Sequence, residues 1–297
     1  MGNSAKYVSR GKWFVLLALV VLLFGSCRSG QSKQESDSTQ PEVHGHLFII
    51  GGGDRPRAMI QNLIELSGLD SAGYAVVLPM SSSVPDTSAW YAEKQFRDLG
   101  VDRLYTFNIQ QKKQMTPVVL DSIRRASLIY ISGGSQNRFM DIVRDSQLEE
   151  AIQQAYQQGS TIAGTSAGAA VMSELMITGD EHKHPEYTGN FRTIEANNIV
   201  IETGLGLLPQ AIIDQHFIRR MRMNRLISAC LEHPGKVGIG IDEATAVWVD
   251  GNQARVYGRG QVVVLRNANR EVTIREGLLG GKLSMHIYLH GQHFPVE

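Results

Sequence analysis

The chain has 297 residues, enough to bury a full core in one large domain or two small ones. Its 29 basic and 29 acidic residues cancel, so overall charge gives no reason to expect nucleic acid or a purely electrostatic partner. The 30 glycines and modest aromatic content suit an α/β protein with many tight turns better than a helical bundle, and no heptad, long repeat or membrane-length span follows the first 30 residues.

In chain order, the first segment is an address. Lys6, Arg10 and Lys12 precede the apolar run Trp13 to Phe24, which is short for a membrane span and reads as an export signal. Gly25-Ser26-Cys27 then sets small residues before a cysteine, as at a bacterial lipoprotein cleavage site; ordinary cleavage nearby, with an incidental cysteine, is the competing reading. The expected organisation is a signal peptide over 1–26, a lipidated polar tether over 27–43 and one folded domain over 44–297. The expected location is therefore outside the cytoplasm, anchored to a membrane through Cys27. Once Cys27 is modified only Cys230 remains, so no intramolecular disulfide can form, and "LISACLEH" reads as a helix with Cys230 buried in it.

The folded part begins with a buried strand, His46 to Ile50, feeding Gly51-Gly52-Gly53. A helix stopped by Gly68, the strand "YAVVLPM", the serine loop Ser81 to Ser83 and the helix "TSAWYAEKQFRDLG" follow. After "RLYTFNI", a helical turn leads to the strand Leu128 to Ser132 and Gly133-Gly134-Ser135-Gln136. One long helix, "FMDIVRDSQLEEAIQQAYQQG", and the strand "TIAGT" complete this half. Short apolar strands alternating with amphipathic helices predict right-handed βαβ units and a mostly parallel sheet flanked by helices. Beyond Val237 the pattern becomes β-rich, with a hairpin around Asp250-Gly251 and strands in "QVVVLR" and "MHIYLH".

Ligands of parallel sheets sit at the carboxyl ends of the strands, where both glycine loops and Ser166 fall. Gly164-Thr165-Ser166-Ala167-Gly168 fits Gly-x-Ser-x-Gly, a turn that lifts a serine hydroxyl for attack, although close packing alone also calls for small residues there. Such a serine needs a base, an acid to orient the base, and oxyanion donors. His216 ends the apolar run Ala211 to Ile213 and supplies a base. Asp214, two residues earlier, and Asp242 and Glu243, which follow "VGIGI", all compete as orienting acid. An arginine-bearing helix is expected next, with Arg219, Arg222 and Arg225 near one face and Arg220 offset. Such a run is either a solvated face or a clamp for substrate carboxylates.

Among the remaining histidines, the groups His44 with His46, His182 with His184, and His286, His290 and His293 lack the spacing or cysteine partner of a metal site, so neither metal nor cofactor is expected. Asp54-Arg55-Pro56 interrupts the helix start that a dinucleotide loop at Gly51 to Gly53 would need.

Together "GGG" at 51–53, "GGSQ" at 133–136, "GTSAGAAVMSELMITG" at 164–179, "GLGLLPQAIIDQHFIRRMRMNRL" at 204–226 and "GIGIDEATA" at 238–246 resemble the cyanophycinase family, serine peptidases related to aspartyl dipeptidase. The resemblance covers roughly residues 45 to 270. It implies a class I glutamine amidotransferase-like α/β fold, with Ser166 as nucleophile, His216 as base and Glu243 as orienting acid. It further implies an oxyanion hole from the amides of Gly134 and Ala167, and a substrate pocket lined by Gln136, Asp214, Arg220, Arg222 and Arg225. The family's usual "GGDQ" reads with Ser135 in place of the acid. The implied activity is hydrolysis of cyanophycin, a polyaspartate carrying arginine on its β-carboxyls, to β-aspartyl-arginine. The alternatives are an isoaspartyl or amino-terminal aspartyl dipeptidase on the same fold, and a non-catalytic peptide-binding lipoprotein. Expected partners are thus a peptide substrate, a membrane and a second copy in a homodimer, without nucleic acid.

Overall fold

β1 (His46–Ile50) shows how the sheet is built, because its apolar residues alternate between two cores. Leu47 and Ile49 join one cluster and Phe48 and Ile50 the other, all fully buried. A strand buried on both faces needs helices on both sides, and the next elements supply them. They are α1 (Arg57–Leu66), β2 (Ala75–Leu78), α2 (Pro85–Arg97), β3 (Leu104–Thr106), α3 (Pro117–Arg124), β4 (Leu128–Ile131), α4 (Gln136–Val143), α5 (Gln147–Gln157) and β5 (Thr161–Thr165). The computed structural model describes residues 45–69, 73–186 and 191–297. The signal segment, Cys27 and the tether expected from the sequence lie outside the described residues.

A four-residue α6 (Ala167–Ala170) follows β5, then β6 (Leu175–Glu181), β7 (Ile199–Thr203), β8 (Ala211–Gln215), α7 (Met223–Glu232) and β9 (Val237–Ile241). The rest is all strand: β10 (Thr245–Asp250), β11 (Gln253–Gly258), β12 (Val262–Arg266), β13 (Val272–Arg275), β14 (Leu278–Gly281), β15 (Ser284–Tyr288) and β16 (His293–Pro295). Among the described residues, the large sheet has eight strands in the order β16-β11-β10-β1-β5-β4-β2-β3. From β1 to β3 the pairing is parallel; β10, β11 and β16 extend it antiparallel. The β10–β11 hairpin closes between Asp250 and Gln253, with Gly251 at φ 54°. This is the α/β fold with a mostly parallel, helix-flanked sheet and a β-rich carboxyl-terminal part.

Two expectations change. The long helix over 139–159 is two helices, because Asp145 takes φ 54° and Ser146 restarts the chain by accepting hydrogen bonds from Leu148 N and Glu149 N. The helix after His216 begins only at Met223. Residues 217–222 instead form a turn, held where Asp242 Oδ1 accepts from Ile218 N (3.1 Å) and Arg219 N (2.9 Å), with Met221 at φ 50°.

A third finding was not foreseen. β8 and β9 pair with each other in a separate four-stranded sheet, β15-β12-β9-β8. The strands that end near His216 and Glu243 therefore belong to a different sheet from the one that carries Ser166.

Candidate active site

Ser166 sits between β5 and α6 at φ 54° and ψ −111°, a conformation that non-glycine residues rarely adopt. Its amide donates to Ile50 O at 3.0 Å, tying the turn to β1. Both flanking glycines are required. A Cβ at 164 would lie 2.2 Å from Gly168 O, and one at 168 would lie 2.3 Å from Ile131 O.

From the second sheet, His216 (φ 49°) projects from the end of β8, and Glu243 from the turn after β9. The Ser166 hydroxyl donates to His216 Nε2 at 2.8 Å, and His216 Nδ1–H donates to Glu243 Oε1 at 2.6 Å. Spacing alone leaves Asp214, Asp242 and Glu243 open as partners of His216, and Glu243 is the one bonded to it. His216 is 6% exposed, and burial depresses its pKa below the ordinary 6.5. The hydrogen bond to Glu243 opposes that shift, and the charges of Arg220 and Arg222 add to it. The imidazole is therefore neutral at pH 7, able to accept a proton at Nε2.

Gly51 to Gly53 build the cradle for this pair, a role the sequence reading missed. Gly52 (φ 107°) leaves room for the imidazole, since a Cβ there would lie 2.4 Å from Cε1 and 2.5 Å from Nε2 of His216. A Cβ on Gly53 would meet Glu243 Cβ and Oε2 at 2.8 Å. The backbone ties the two sheets at the same place: His216 N donates to Gly51 O (2.7 Å) and Ala244 N to Gly52 O (2.9 Å).

The glycine pair after β4 lies beside the serine. A Cβ on Gly133 would be 3.4 Å from Ser166 Cβ, and Gly134 (φ 145°) is pressed against Ser81 O. Ala167 opens α6, so its amide has no acceptor a turn earlier in the helix. Ser135 spends its hydroxyl accepting from Arg138 N at the start of α4.

Of the implied pocket residues, Arg220 is exposed next to His216. Gln136 is buried and donates through Nε2 to Ile177 O (3.0 Å) and Thr178 O (2.5 Å). Asp214 and Arg225 are 1% and 2% exposed and grip each other through two hydrogen bonds, one of them Arg225 Nε to Asp214 Oδ2 at 2.6 Å. Arg225 also lies over the Phe191 ring, 5.0 Å from its centre. Arg222 donates to Gln215 O (2.7 Å) and Oε1 (2.5 Å). The arginines thus divide: Arg219 and Arg220 face solvent, whereas Arg222 and Arg225 are buried beside Asp214.

A cleft of about 320 Å³ opens beside Ser166, lined by Arg55, Ser88, Tyr91, Tyr130 and Thr165 as well as Ser166 and His216. The sequence reading noted Arg55 only as part of an interruption after the glycines and did not single out Tyr91 or Tyr130. Position two residues after a strand-end glycine turn is the signal available for Arg55. A serine hydroxyl bonded to a neutral imidazole, itself bonded to a carboxylate beside an open cleft, has the parts for acyl transfer. Among the described residues, no three His, Cys, Asp or Glu side chains group as metal ligands.

Residues 47–257 match Peptidase family S51. The chain belongs to that family. It is accordingly a serine-type peptidase of cyanophycinase-like kind, acting on a peptide substrate. A cyanophycinase from Trichormus variabilis is 32% identical to this peptidase over 278 residues, covering 90% of each chain. One from Synechococcus elongatus is 32% identical over 267 residues, covering 85% of this peptidase and 80% of its own length. The fold is also that of a crystal structure of a peptidase from an acI-B1 Actinobacterium, at a TM-score of 0.63 and 21% identity, over 86% of this peptidase and 98% of that chain.

Proposed function

We propose that this peptidase is exported and hydrolyses the polyaspartate backbone of cyanophycin, releasing β-aspartyl-arginine. The observation that carries the reading is the unbroken hydrogen-bond line from Ser166 through His216 to Glu243. Ser166 Oγ attacks the aspartyl carbonyl carbon while His216 Nε2 takes its proton. The amides of Gly134 and Ala167 hold the oxyanion, each worth roughly 3 kcal/mol of barrier. As the intermediate collapses, the C–N bond breaks and His216 returns the proton to the leaving amine. Water then attacks the acyl-enzyme, giving one proton to His216, and Ser166 leaves with that proton restored. Glu243 keeps the imidazole in the Nδ1–H tautomer and balances its transient charge. Arg220, exposed beside His216, is the implied pocket residue open to substrate, whereas Gln136, Asp214, Arg222 and Arg225 are buried.

Ser135 favours a second reading, cleavage of short isoaspartyl or amino-terminal aspartyl peptides, because no carboxylate follows Gly134. Anchoring through Cys27 and the tether rests on the lipoprotein-like "GSC" alone. A homodimer is supported by the exposed apolar side chains of Met285, Ile287 and Leu289 on and just after β15, at the edge of its sheet.

The test is incubation of a soluble form starting near Gln31 with purified cyanophycin, using Ser166→Ala as control. Release of β-aspartyl-arginine by the wild type alone is expected. No release, with Ser166 still labelled by a serine-directed inhibitor, replaces the polymer with short isoaspartyl peptides. Neither release nor labelling removes catalysis from the reading altogether.

A further inference from the structure

The cleft beside Ser166 contains groups that no step above uses. Tyr130 is 1% exposed and Thr165 5%, yet neither the Tyr130 hydroxyl nor Thr165 Oγ1 has a hydrogen-bond partner. Both residues line the cleft. Native interiors rarely leave such buried hydroxyls unmatched. The Tyr130 ring is fixed edge-on against Phe96, 5.5 Å between centres, so its hydroxyl cannot swing away to find another partner.

Arg55 lines the same cleft. Its Nε donates to Gln95 Oε1 at 2.7 Å, and one terminal nitrogen makes a long contact of 3.5 Å to Gly53 O. Among the described residues no carboxylate pairs with it. Among the described residues, Arg55 and His216 are the basic side chains lining this cleft, and no acidic side chain lines it. The guanidinium can only donate and each unmatched hydroxyl has a proton to donate, which suits a planar anion of two oxygens.

We propose that Arg55, Tyr130 and Thr165 form a subsite that binds a free carboxylate of the peptide whose carbonyl Ser166 attacks. The inference rests on the peptidase reading of this cleft, and names what the cleft selects. Arg55 supplies charge and orientation, and the two hydroxyls donate to the carboxylate oxygens. Occupancy would satisfy both buried hydroxyls and hold the scissile carbonyl against Ser166, so the subsite acts by positioning. The carboxylate has two sources: the α-carboxylate of an isoaspartyl residue, or that of an arginine carried on a polyaspartate chain. Within the polymer backbone the aspartyl α-carboxylate is consumed in the peptide bond, so the source distinguishes the two substrates considered above.

Binding to Ser166→Ala separates this subsite from turnover. The probes are β-aspartyl-arginine and two analogues, one amidated at the aspartyl α-carboxylate and one at the arginine carboxylate, titrated by calorimetry at neutral pH. One amidation is expected to weaken binding about tenfold, the scale of a charge-assisted pair. Arg55→Gln added to Ser166→Ala should weaken the parent probe by a similar factor and abolish discrimination between it and that analogue. Tyr130→Phe keeps the ring and should weaken the parent probe several-fold, which provides a second variant should Arg55→Gln fold poorly. Loss on the aspartyl side identifies an isoaspartyl substrate; loss on the arginine side identifies the polymer's side groups. The subsite is overturned if both analogues bind as tightly as the parent, if Arg55→Gln weakens all three equally, or if nothing binds at millimolar concentration. Carboxylate-dependent binding without hydrolysis of either substrate would leave the subsite standing while the hydrolytic reading falls.

Discussion

His216 is where environment most directly sets chemistry. Burial dominates its depressed pKa, and Arg220 is the larger of two arginine contributions in the same direction. The acid limb of kcat/KM, which reports the free enzyme, is therefore expected below 6.5. Arg220→Gln removes a charge that disfavours the imidazolium, so the limb should move upward towards 6.5. A limb that stays in place or moves down would show that Arg220 does not act on His216. The same shift links to stability. The neutral imidazole contributes fully above the unfolded pKa of 6.5, and that contribution is lost as pH falls through the lower folded value. At this scale the sequence was legible wherever one residue announces itself, as Ser166 does between glycines and His216 at a strand end. Tyr130 and Thr165 were not legible, because an unmatched buried hydroxyl is defined by its neighbours.

Among elements, the turn after β1 matters most. Its glycines leave space for His216 and Glu243, which arrive from the second sheet. Gly52→Ala would place a methyl 2.4 Å from His216 Cε1, in a backbone conformation that alanine resists. Displacing the base by even about 1 Å costs on the order of 100-fold, so kcat should fall by that factor. A normal kcat in that variant would show that the cradle yields freely. The turn was visible as three glycines, but its purpose was not, because its partners lie more than 160 residues away. Local chemistry also explains the two helices misjudged from periodicity. Ser146 with Glu149 three residues on was a readable helix start inside an apparently continuous pattern. The delayed start of α7 was not readable, since Asp242 holds the preceding turn from another element.

At the scale of the whole molecule, the Asp214–Arg225 pair lies buried between β8 and α7, in the sheet that carries His216. Asp214→Ala would leave Arg225 buried without its carboxylate, costing roughly 3–5 kcal/mol. That corresponds to a melting temperature lower by on the order of 10 °C, whereas a loss under 1 kcal/mol would mean that water reaches the pair. The sequence by itself determined the α/β class, the glycine-flanked serine, the histidine at a strand end and the β10–β11 hairpin. Each of these is written in contiguous residues through alternation, turn chemistry or backbone sterics. Tertiary structure alone decided that two sheets meet at the site, and it brought Glu243 rather than Asp214 to His216, a choice that spacing left open and only the family resemblance implied. It also decided which arginines are buried, and that Arg55 faces a cleft with two unmatched hydroxyls. Those facts depend on which distant groups are brought together and how far water is excluded between them, and neither is a property of any short stretch of chain.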